Sequence, residues 1–114
     1  MWMLTEIVAL NTSAMTFYTP WFPKGEDNAV FTLEKVLDTI NGGATFTVLT
    51  KNREAEGSEG TSAGSFSALT APFYEAKCTD LEDLVRFKVT FTASAAGQGV
   101  IFRFLQPTWY DTAV

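Results

Sequence analysis

A chain of 114 residues has the length of one domain, and 46% apolar against 18% charged residues is the composition of a globular protein with one core. A net charge of −5, with eight cations scattered from Lys24 to Arg103, argues against nucleic acid or an anionic membrane surface as a partner. A single cysteine and no histidine exclude an internal disulfide, a Ser-His-Asp or Cys-His catalytic set and the usual zinc site.

Ten Phe, three Trp, three Tyr and abundant Thr favour strands over helices. In chain order, residues 2–10, WMLTEIVAL, read as a first strand or an extended arm. They lack the basic flank and long apolar core of a secretion signal, and no segment approaches the ~18 apolar residues of a membrane span. Without a signal, the sequon at Asn11-Thr12-Ser13 carries no weight. TPWFPKGEDN, residues 19–28, reads as a loop presenting Trp21 and Phe22. Residues 29–43 fit either period. Leu33, Val36, Leu37 and Ile40 have helical spacing, while the β-prone opening NAVFT favours a strand, which is the reading adopted. The turn signal Asn41-Gly42-Gly43 then leads into ATFTVLTKN, residues 44–52, with Phe46 and Val48 on one face. Residues 30–52 therefore read as a hairpin or a sharply turned pair of strands.

REAEGSEGTSAG, residues 53–64, carries three Glu and hardly an apolar side chain, and reads as a solvated, mobile loop. Its glycines do not make a phosphate cradle, because no Lys follows and the flanking carboxylates repel phosphate. SFSALTAPFYEAKC, residues 65–78, starts with alternation, and Pro72 marks an edge or a bend. TDLEDL, residues 79–84, is an acidic connector that could form one helical turn capped by Thr79 or Asp80. VRFKVTFTASA, residues 85–95, is the clearest strand. Val85, Phe87, Val89, Phe91 and Ala93 point one way, and Arg86, Lys88, Thr90, Thr92 and Ser94 the other. After a glycine turn, residues 99–107 return with Val100, Phe102 and Phe104 on one face, so residues 85–106 read as a second hairpin. The end, PTWYDTAV, is short and aromatic.

Six to eight strands at intervals of about ten residues, without a long helix or repeat, predict one all-β domain over residues 1–114, an antiparallel sandwich or barrel. The carboxylates fall into the clusters Glu26-Asp27, Glu54-Glu56-Glu59 and Asp80-Glu82-Asp83, each in a predicted loop. A glycosidase would need two of them across a cleft, and neither GEDN nor DLED has the ligand spacing of an EF-hand, so solvated loop faces are the better reading. Cys78 reads as a small buried apolar residue. No catalytic residue, metal ligand or cofactor is assigned. Trp21, Phe22, Trp109 and Tyr110 lie outside the alternating strands, and Trp2 lies in the arm. Together they are the candidates for a partner interface, or for closing the ends of the sandwich.

The LVRFKVTF strand, the glycine turn, the VIFRFLQP return and the closing PTWYD, with TFTVLTKN and its acidic Gly/Ser loop, resemble the small β-rich virion proteins of tailed phages, of the capsid decoration or cement type. The resemblance covers about half the chain, and residues 1–28 add nothing to it. It implies a non-enzymatic role on the virion, assembled in the host cytoplasm. The implied partners are the major capsid protein or another virion protein, with copies of the chain oligomerising on the particle. On this reading Trp2, Trp21, Phe22, Trp109 and Tyr110 anchor contacts, and residues 1–10 can add a strand to a neighbour. The alternative is a carbohydrate-binding sandwich in which Trp21 or Trp109 stacks on a sugar and Glu26, Asp27 or Asp111 accepts its hydroxyls.

Overall fold

The computed structural model describes residues 7–11, 15–38, 44–91 and 98–111. All regular structure among them is strand: β1 (Ile7–Asn11), β2 (Met15–Tyr18), β3 (Phe22–Pro23), β4 (Asn28–Asp38), β5 (Ala44–Lys51), β6 (Thr61–Ser65), β7 (Ser67–Ala68), β8 (Phe73–Cys78), β9 (Leu84–Phe91), β10 (Gln98–Phe104) and β11 (Thr108–Tyr110). The predicted all-β class holds, and the ambiguous 29–43 segment is strand through Asp38. Several of the eleven segments are only two or three residues long, which is why more appear than the six to eight expected.

Two antiparallel sheets pack face to face without closing into a barrel. The first runs β1-β10-β4-β8-β7, with β11 also on β4. The second runs β2-β9-β5-β6, with β3 also on β9. Each sheet is built on one long strand with a single partner on one edge and two segments sharing the other. β4 has β8 opposite β10 and β11, and β9 has β5 opposite β2 and β3.

Both predicted hairpins are corrected by this pairing. β4 and β5 lie in different sheets, and so do β9 and β10. The alternation itself is right: Val85, Phe87, Val89, Phe91, Val100, Phe102 and Phe104 are all buried, as are Phe31, Leu33, Phe46 and Val48. A period-two pattern says which face is covered, and two such strands cover one another equally well side by side or across a sandwich. Here they face each other. Phe87 of the second sheet stacks on Phe104 of the first at 4.1 Å between ring centres, and Phe46 meets Phe102 edge-on at 4.8 Å.

Phe87 is the hub of this aromatic core, touching Phe22, Phe31 and Phe66 as well at 5.4–5.7 Å, in tilted or edge-on geometry. Cys78 is fully buried as expected, and burial pushes its thiol up to about 11. The peptide bond before Pro72 is cis and lies in the turn between β7 and β8, the bend that Pro72 suggested. Residues 79–83 form no helical turn. Asp80 takes φ 56°, and its N–H donates to the buried Asn28 Oδ1 at 3.2 Å, so the connector is clasped to the 24–28 turn. Lys24 strengthens the clasp through Asp27 at 2.7 Å and the Leu81 carbonyl at 2.9 Å.

Candidate functional site

On the outer face of the second sheet, Arg86 lies between two aromatic rings. Its guanidinium carbon is 4.1 Å from the centre of Tyr18 and 4.4 Å from that of Trp21. The placement follows from one extra residue. Tyr18 pairs with Lys88 and Phe22 with Val85, so residues 19–21 oppose only residues 86 and 87. That surplus shifts the alternation by one. Phe17 and Phe22 both pack against the core, while Tyr18 and Trp21 both reach the outer face and flank the same arginine. Thr19 holds the irregular stretch in place. Its N–H donates to the Phe87 carbonyl at 3.0 Å, and its Oγ1 accepts from the Phe87 N–H at 2.9 Å.

The acidic Gly/Ser segment keeps most of residues 53–59 exposed, as its sequence suggests, but hydrogen bonds tie it to this face and its last residues belong to β6. Glu59 accepts from Lys88 Nζ at 3.0 Å, and its carbonyl accepts from Arg86 Nη2 at 2.9 Å. Lys51 donates to the Ala55 carbonyl at 3.1 Å and lies 4.8 Å from the Trp21 ring centre. At the base, Asn52 donates to Glu82 at 2.7 Å and the Arg53 N–H donates to Asp83 at 3.2 Å. Gly60 makes the closest approach. Its φ is +99°, and a Cβ there would come within 2.8 Å of Trp21, so only glycine fits. Beneath this cover Leu49 is buried although it points away from the core.

Tyr18, Trp21, Lys51, Gly57, Ser58, Glu59 and Arg86 line a cavity of about 420 Å³ that is open to solvent. Hydrogen bonding to Lys88 holds the Glu59 carboxyl below its ordinary value of 4.5, and the same bond raises Lys88 above 10.5. Among the described residues, no group of three His, Cys, Asp or Glu side chains could hold a metal. The arrangement offers positive charge, hydroxyls and one carboxylate acceptor around aromatic walls, which suits binding by charge and hydrogen bonds.

The expected site residues do not form one surface. Trp21 belongs to this cavity. Phe22 packs on Phe87, and Trp109 meets Phe31 edge-on at 5.6 Å, so both close the core in the way the end-closing reading anticipated. Gly25 lies against the Trp109 ring, where an added Cβ would come within 2.7 Å. Tyr110 is exposed on β11, opposite Asn28. Trp2 lies outside the described residues. Tyr18, Lys51, Glu59, Arg86 and Lys88 were missed. Arg86 and Lys88 lie on the wet face of the clearest strand in the sequence, but Lys51 reaches them only through the β5–β9 pairing, in which Leu49 opposes Arg86 and Thr47 opposes Lys88. No protein-family model matches the chain, no curated protein matches it, and no solved structure does.

Proposed function

We propose that the chain is a non-enzymatic structural protein of a virus particle, a capsid decoration protein that stabilises an assembled shell through contacts between subunits. The observation that carries this reading is the edge of the first sheet. Among the described residues β1, IVALN, ends the strand order, and its sequence has no charge and no proline. Edge strands of proteins that act alone are blunted by lysine, proline or bulges, because a bare edge pairs with other chains. An edge without these devices suits a strand that a neighbouring subunit covers.

The far side of the same sheet supports the reading. Val36 is 54% exposed and Leu69 58%, with Phe73 also exposed. Hydrogen bonds from Lys35 N to the Pro72 carbonyl and from Leu69 N to the Phe73 carbonyl gather these three around the turn before β8. An uncharged edge on one side and an apolar corner on the other are dissimilar surfaces, as a head-to-tail array of copies requires. In such an array weak contacts multiply. The partners on this reading are further copies of the chain and the major capsid protein.

Mass spectrometry of gradient-purified particles from the source of this sequence tests the proposal. The expected result is the chain present in copy numbers comparable with the shell subunit. Its absence from intact particles would overturn the assignment.

A further inference from the structure

The cavity beside Trp21 gathers positive charge on a chain whose total is −5. Lys51 and Arg86 line it, Lys88 is bonded to its rim, and Glu59 is the one carboxylate in its lining. Cations in a concave site concentrate anions there. Its volume of about 420 Å³ suits a small ligand or one or two units of a longer one.

The surrounding groups narrow the chemistry. A phosphate, doubly charged near neutrality, meets about twice the repulsion from Glu59 that a singly charged carboxylate meets, and hydroxyls on the ligand find an acceptor in Glu59. Tyr18 and Ser58 add hydroxyls that can both donate and accept. A neutral sugar would need a bare aromatic face to stack on. Arg86 already lies over both Tyr18 and Trp21, and Lys51 also lies over Trp21. Binding must therefore begin with charge. We propose that this cavity is a binding site for an acidic saccharide, its carboxylate drawn to Lys51 and Arg86 and its hydroxyls bonded to Glu59, Ser58 and Tyr18. The site is independent of the shell-contact surfaces, which lie on the other sheet.

The test is titration of the full chain with sialyllactose and with galacturonate oligomers, against lactose and inorganic phosphate, read by proton–nitrogen NMR. The expected result is movement of the Trp21 indole and the 57–59 amides with an acidic saccharide at millimolar concentration, and none with lactose or phosphate. Lys51→Ala should weaken binding about tenfold, the worth of one charge-assisted hydrogen bond, while the melting temperature stays close to that of the parent. Three results would each overturn the proposal: no response to either acidic saccharide, an equal response to phosphate or lactose, or unchanged affinity in Lys51→Ala.

Discussion

Arg86 is held by three elements at once: Tyr18 at the end of β2, Trp21 in the irregular stretch and the Glu59 carbonyl in the returning loop. Each ring contributes about 0.5–2 kcal/mol, depending on how dry the contact is. The Glu59–Lys88 pair beside it sets how the loop responds to pH. Glu59 is depressed, so its contribution is complete above 4.5 and is lost as pH falls through its lowered value. Lys88 is raised, so its contribution is complete below 10.5 and is lost as pH climbs through its raised value. The Trp21 indole resonance should therefore hold steady between these limits and move only outside them. A midpoint near neutrality would contradict the pairing. Little of this was visible beforehand. Trp21 stands out because it interrupts the strand pattern, but Glu59 reads as one carboxylate of a solvated loop and nothing in the sequence singles out Tyr18. The residue surplus that swings Trp21 onto Arg86 exists only once β2 and β3 share one edge of β9.

Among the elements, β9 carries the most weight. Its inward residues Val85, Phe87, Val89 and Phe91 are all at most 1% exposed, and its outward Arg86 lines the cavity. Phe87 touches four other aromatic rings, so Phe87→Ala should cost about 3–5 kcal/mol in a urea melt. Phe87→Leu should retain a cooperative transition, and a loss below about 1 kcal/mol in the alanine variant would show that the ring is not a keystone. The burial of β9 and β10 was legible because period two survives any partner choice. Their partners were not, since the same alternation serves a hairpin and a sandwich alike. β4 became legible for a similar reason: the β-prone NAVFT decided against Leu33, Val36, Leu37 and Ile40 as a helical face, and Val36 is exposed in the strand.

At the scale of the whole molecule, the two sheets present different outer faces. The second is covered by its own loop and gathers cations around an open cavity, while the first ends in an uncharged strand on one side and an apolar corner on the other. The fold class was readable from strand spacing and turn residues. The difference between the outer faces of the sheets was not, because it depends on which strands share a sheet. The central claim is that β1 makes contacts between subunits, and the most direct check is solution mass by light scattering over a range of concentrations. The chain should form a defined oligomer, and Val8→Lys, at a position opposite Ile101 in register, should shift it to monomer with the fold intact. A parent chain that stays monomeric at every concentration, or an oligomer indifferent to a lysine on this edge, would contradict the account.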